Sequence, residues 1–204
     1  MSKSQLKIIS FIGVFIACIM LGYLGMRNYK VSVEKLKTNK CIEEITKIVL
    51  ITKERFRNQI SYGNLDYNEA VKLNLFPSSM LKNNYGEAMH SYKGGVDIYY
   101  SSISKEKENR AFEVSFQGLS SYACKKLIQV DFNAYGGDIL IAVGGYSTSM
   151  PSGTLSEIYL DTKQRDINNK NIFIASEIKY IPQEQLENVC NCQKNTCTVI
   201  WKFR

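Results

Sequence analysis

The stretch "RNYKVSVEKLKTNKCIEEITKIVLITKERFRNQI", Arg27 to Ile60, decides how the rest of the chain is arranged. It holds neither proline nor glycine, so nothing in it breaks a helix. Ile42, Ile45, Val49, Phe56 and Ile60 recur at helical spacing with polar or charged residues between them. Such a pattern lines one face of an α-helix, and that face needs a partner to cover it. Cys41 falls off the apolar register and reads either as a free thiol or as a link between subunits.

Upstream lies "KIISFIGVFIACIMLGYLGMR", with 19 uncharged residues between Lys7 and Arg27. At ~1.5 Å per residue these span most of a ~30 Å hydrocarbon core. A secretory signal is shorter and closes on a small-x-small site. Here Tyr23, Leu24 and Met26 crowd Gly22 and Gly25, and Ile16 stands where a lipoprotein leader before Cys18 carries a small residue. The run therefore reads as an anchor that stays. The expected organisation is a cytoplasmic tail over 1–7, a transmembrane helix over 8–26, an amphipathic continuation over 27–60 and a globular domain over 61–204.

The formal charge of +7 is unevenly spread. Residues 27–60 carry nine basic side chains against four acidic ones, whereas residues 61–204 are balanced. A basic segment beside a membrane suits anionic headgroups or a charged neighbour. The balanced remainder makes nucleic acid a less favoured partner. Two indicators of orientation conflict. Basic residues after the span outnumber those before it, which by the positive-inside rule places the large domain in the cytoplasm. Cys190, Cys192 and Cys197, clustered near the C-terminus, point instead to stapling in an oxidising compartment. The same C-x-C-x4-C group, with Cys124 or His90, is also a candidate zinc set, although C-x-C spacing suits zinc poorly.

Beyond Gly63 the signals alternate. "YNEAVKLNLF" reads as a helix stopped by Pro77. "GGVDIYYSS" and "RAFEVSFQG" read as two strands of an antiparallel hairpin. "LSSYACKKLIQVDF" has Tyr122, Leu127 and Val130 at helical spacing, with Ser120 or Ser121 as N-cap. "GGDILIAVGG" and "NIFIASEIKYI" read as strands. "PQEQLENVC" reads as a helix with Pro182 at its first position, and "TCTVIWKFR" as a last strand in which Trp201 alternates with Val199 and Phe203 in the core. A long N-terminal helix laid on an antiparallel sheet is an α+β arrangement.

Four stretches of this chain, in order behind the long helix, resemble type IV pilins, and more narrowly the type IVb class that includes the thin-pilus subunits of conjugative plasmids. "NLFPSSM" is similar to their Pro-x-x-Met segment. "YKGGVDIYY" is similar to their Gly-Gly-x-Val-x-Val strand entry. "FEVSFQGLSSYACKKL" resembles their strand and Ala-Cys-x-x-Leu helix, with Leu119-Ser120 in place of Val-Pro. "ENVCNCQKNTCTVIWKFR" resembles their closing strand. The resemblance covers roughly Val31 to Arg204. It implies a type IV pilin-like fold and a disulfide closing the C-terminal region, carried onto Cys124 and Cys190; Cys192 and Cys197 are extra to the pattern and fit a small staple before the last strand. The chain departs from the family at its start. No glycine precedes the apolar run and no glutamate lies within it, so no prepilin leader-peptidase site is recognisable.

The resemblance implies a non-enzymatic, single-pass component of a pilus, conjugation or secretion apparatus, minor pilin or pseudopilin-like. Its partners would be the bacterial inner membrane and other pilin-like subunits, or its own copies, met through residues 1–60. The family's topology implies an N-terminus in the cytoplasm and a periplasmic domain, against the charge count. A membrane-anchored binding module for DNA or protein is the alternative. No cofactor, metal or catalytic set is expected: His90, the sole histidine, has no nucleophile motif beside it and reads as surface or structural.

Overall fold

In a computed structural model the described residues are 3–81, 87–104, 109–132, 140–145, 171–174, 182–192 and 196–204; in the first helix the side chains of residues 3–14 and 17 lie outside that set. Helix α1 is Lys3–Arg55. The chain divides within it into two units, Met1–Leu36 and Lys37–Arg204. In the first unit Phe15, Ile16, Ile19, Met20, Leu21, Tyr23, Leu24 and Met26 are all exposed. Among the described residues no helix is long and apolar enough to cross a membrane. The span expected over 8–26 falls in part on side chains outside that set.

In the second unit the buried stripe of α1 is Thr38, Cys41, Glu44, Ile45, Ile48, Val49 and Thr52, continued by Phe56. The helix ends earlier than its apolar spacing predicts. After Arg55 the ladder tightens to i→i+3 bonds, Arg57 N–H to Glu54 O at 3.3 Å and Gln59 N–H to Phe56 O at 2.9 Å, as helix ends commonly do. Ile60 is consequently 80% exposed and leaves the core. Tyr62 takes its place, its ring 5.2 Å from Phe56 and 4.8 Å from Phe112.

Helix α2, Tyr67–Lys72, is shorter than expected. Asp66 caps its start by accepting from Glu69 N–H at 2.8 Å, and Asn74 at φ 55° turns the chain away. Strands β1 (Val96–Ser101) and β2 (Ala111–Leu119) form the antiparallel hairpin. Ser120 is the N-cap of α3, Ser121–Ile128. The face that α3 buries is Ala123, Cys124, Leu127 and Ile128, with Val130 half-buried against the same core. Strand β3 is Leu140–Gly145 and β4 is Ile172–Ile174; the rest of the strand expected after Ile174 lies outside the described residues. Helix α4 is Gln183–Val189, with Pro182 at the N-cap, one position before the first helical turn. Strand β5 is Cys197–Phe203.

The five strands are ordered β1-β2-β5-β3-β4, and every pair is antiparallel. The last strand in sequence is thus the middle strand of the sheet, and all seven of its residues are buried. Its odd-numbered residues, Val199, Trp201 and Phe203, share one core with Phe112, Val114, Phe116, Ile141 and the α1 stripe. Ile200 points to a second core with Ala111, Leu140, Ala142 and Ile172. The long helix and five-stranded antiparallel sheet are the α+β fold the sequence predicts, with a core of buried residues on each face of the sheet.

Candidate functional site

Two constructions stand out in the second unit: a polar seam that fastens α1, and a cluster of four cysteines at the entry to β5.

The seam is made by residues 90–94, between the segment after α2 and β1. Lys93 adopts φ 64°, and its N–H returns to His90 O at 2.7 Å. Gly94 is there because nothing larger fits: a Cβ would sit 1.7 Å from Gln117 O and 2.7 Å from His90 Nε2. Gln117 lies where the β2–β5 register shifts, between Phe116 and Leu119, and Gly118 takes φ 74°. A bulge of this kind turns a backbone carbonyl out of the ladder. His90 Nε2–H donates to that carbonyl, Gln117 O, at 2.6 Å, while Tyr92 N–H donates to Nδ1 at 3.1 Å. The ring stacks on Phe116 with centroids 5.0 Å apart. These contacts fix a neutral imidazole with its proton on Nε2.

On the helix side Cys41 Sγ lies 3.7 Å from His90 Nδ1. Glu44, one turn on, accepts from Ser91 N–H at 3.0 Å and Ser91 Oγ–H at 2.7 Å. One turn earlier Thr38 Oγ1 meets Tyr92 Oη at 2.8 Å, and Lys37 Nζ lies 5.7 Å above the Tyr92 ring. Burial is the main cause of both pKa shifts in the seam. It pushes the Cys41 thiol up to about 12, helped by the nearby Glu44 carboxylate. It pushes His90 down to about 4 against the pull of Gln117 O. A nucleophilic cysteine needs the reverse, a depressed thiol beside a base that takes its proton. Cys41 and His90 therefore hold the helix in place. Of the two readings that its off-register position left open, Cys41 is the free thiol, and it is fully buried.

At the other end, Cys124 on α3 and Cys190 just after α4 are joined, with Cα atoms 5.7 Å apart. Cys192 and Cys197 are joined across 5.2 Å. Ser121 Oγ–H donates to Cys190 O at 2.6 Å, tying the start of α3 to the end of α4. Leu119 pairs with Cys197, which places the head of β5 beside the β2–α3 junction. The sulfurs of Cys124, Cys192 and Cys197 all lie within 4.8 Å of one another. A soft metal uses thiolates at such spacing, and a disulfide sulfur carries no thiolate charge, so a metal would require both bridges open. His90 belongs to the seam and not to this cluster.

Set against known proteins, the chain matches the family model described as PilS N terminal over residues 35–203. The chain belongs to the PilS N-terminal family. The match takes in the seam, the sheet and all four cysteines of the cluster. Among solved structures, this PilS-family chain is similar to TcpA, a type IV pilin from Vibrio cholerae El Tor biotype. The TM-score is 0.55 at 14% identity, covering 83% of this chain and 99% of that one, a likeness of fold. Comparison with curated proteins finds no match.

Several residues of the PilS-family domain escape a reading of its sequence. Thr38, Glu44 and Ser91 are ordinary polar residues in charged surroundings, and only the Gly94-Gly95 pair hints at a close approach. The pair Glu113 and Lys202 is also hidden. They face each other across β2 and β5. Both are buried, and Ser101 Oγ–H donates to Glu113 at 2.7 Å. Burial pulls Lys202 down to about 8, against the opposing effect of Glu113.

Proposed function

We propose that this chain is a membrane-anchored, minor-pilin or pseudopilin-like component, of the type IVb class, in a pilus, conjugation or secretion apparatus. The observation that carries the reading is a long helix fastened by its second half to a disulfide-stapled antiparallel sheet. Membership of the PilS N-terminal family and the fold shared with a type IV pilin support it. The exposed apolar side chains from Phe15 to Leu36 offer a surface that other helices or lipid would cover. The globular part works by presentation and contact, without chemistry on a substrate, and lies in the periplasm with the N-terminus in the cytoplasm. The apolar run of residues 8–26 contains no glutamate, which supports an anchor that is retained.

The test is the mass of the native chain recovered from membranes of the producing bacterium. A mass that includes Met1 or Ser2, in protein released only by detergent, is expected. A native chain beginning beyond Met26 contradicts the anchor.

One observation favours the second reading, a binding module for DNA. A cleft of about 330 Å³ at the end of α1 is lined by Lys53, Arg57, Arg110 and Arg204, and none of its described lining residues is acidic. Phosphate binding there would weaken steeply with salt. Retention of duplex DNA by the chain at low salt, lost in Arg57→Ala and Arg110→Ala, would favour it over the assembly role.

A further inference from the structure

We propose that the Cys192–Cys197 bridge is an internal thiol–disulfide exchange partner for the buried Cys124–Cys190 bridge, an activity in cis through which the buried bridge is made and broken. Three of the four cysteines, Cys124, Cys190 and Cys197, are fully buried. Cys192 is the one with exposed surface. A thiol in solution therefore reaches the cluster through Cys192. The buried half of the short bridge, Cys197, lies within 4.8 Å of Cys124 Sγ, as does Cys192 itself. That is a side-chain rotation away from attack. Both bridges hang on the segment from Cys190 to Cys197, anchored by α4 at one end and by β5 at the other, so exchange between them needs no element to move. The long bridge joins α3 to the end of α4 across a separation of 66 residues, whereas the short one joins the start of β5 to a residue only five positions before it. Its position beside the long bridge is what gives it a use.

The chemistry balances with a dithiol of the surrounding compartment, protein or small molecule, as reductant. One thiolate of the dithiol attacks Cys192 Sγ, the Cys192–Cys197 bond breaks, and Cys197 leaves as a thiolate. Cys197 attacks Cys124 Sγ, forming Cys124–Cys197 while Cys190 leaves and takes a proton. The second thiol of the reductant frees Cys192, closing the reductant's own disulfide. Cys192 then attacks Cys197 Sγ, restoring the short bridge and releasing Cys124 as a thiol. The net result is one dithiol oxidised and the buried bridge reduced, with the short bridge unchanged. In reverse, a disulfide oxidant that never touches Cys124 or Cys190 closes the buried bridge in the folded domain.

The experiment uses the full-length, folded chain treated with limiting dithiothreitol, quenched with acid, alkylated and mapped by mass. The short bridge is expected to open first and a Cys124–Cys197 cross-linked peptide to appear in the unsubstituted protein. In the Cys192→Ala/Cys197→Ala chain, isolated with its buried bridge closed, reduction of that bridge is expected to slow by about tenfold or more, because an intramolecular attack is replaced by a bimolecular one. The unsubstituted protein needs no variant to fold, so its trapped species is decisive by itself. Absence of the Cys124–Cys197 peptide, or an unchanged reduction rate in the double variant, overturns the proposal.

Discussion

At the scale of single residues the seam turns on His90 and Gly94. His90 is held neutral, with its folded pKa at about 4 against about 6.5 in an unfolded chain. The unfolded chain therefore binds the extra proton first as pH falls. The stabilisation is complete above about pH 6.5 and is lost on the way down to pH 4, on the order of 3 kcal/mol in all. Urea unfolding across that range should show the decline, and His90→Leu should flatten it while lowering stability at pH 7 by about 1–3 kcal/mol through the lost bonds to Gln117 and Tyr92. Gly94→Ala forces a Cβ onto Gln117 O and should cost on the order of 2–4 kcal/mol. The adjacent Gly95→Ala meets its nearest atom only at 3.9 Å and should melt close to the unsubstituted protein. Equal melting temperatures for the two variants would refute the close approach. Cys41 shows why this scale was hard to read. Counting only apolar residues leaves Thr38, Cys41, Glu44 and Thr52 out of the stripe, yet each is buried, the first three against polar partners in residues 90–92.

At the scale of elements, the helix latch and the long disulfide do separate work. Glu44→Ala leaves Ser91 N–H and Oγ–H without their acceptor and should cost about 1–3 kcal/mol. Local opening of residues 37–55 should then be visible as faster amide exchange there than in β2. Uniform exchange in both elements would contradict the latch. Opening the Cys124–Cys190 bridge frees a 66-residue separation, so a Cys124→Ala/Cys190→Ala chain should lose on the order of 4 kcal/mol in the chain-entropy model. A loss well below that of the Cys192→Ala/Cys197→Ala chain would contradict the assignment of the long bridge as the main staple. The elements themselves were legible because β-branched and aromatic runs between turn residues mark β1, β2, β3 and β5. On α3 the apolar spacing marks Leu127 and Val130, whereas Ala123 and Cys124, also on the packed face, carry little apolar signal beside Tyr122. The central place of β5 had no local signal at all. Strand order is set by pairings across the whole chain.

At the scale of the whole molecule, the two units have different demands. Lys37–Arg204 buries its apolar residues on both faces of the sheet. Met1–Leu36 leaves Phe15, Met20, Leu24 and Tyr29 exposed, and that surface calls for lipid or for neighbouring helices. Composition pointed the same way, with the positive charge gathered on residues 1–60 and a neutral remainder. Cys41 cannot report on neighbours because it is buried, so the most direct measurement uses new cysteines. Tyr29→Cys and Leu36→Cys, placed in a Cys18→Ser background and oxidised in intact membranes, are expected to give cross-linked dimers or cross-links to another pilin-like subunit. Lys93→Cys, exposed but on the sheet unit's turn, is expected to give none. Monomers alone at positions 29 and 36, in protein shown to be folded by its closed Cys124–Cys190 bridge, would contradict the assembly role.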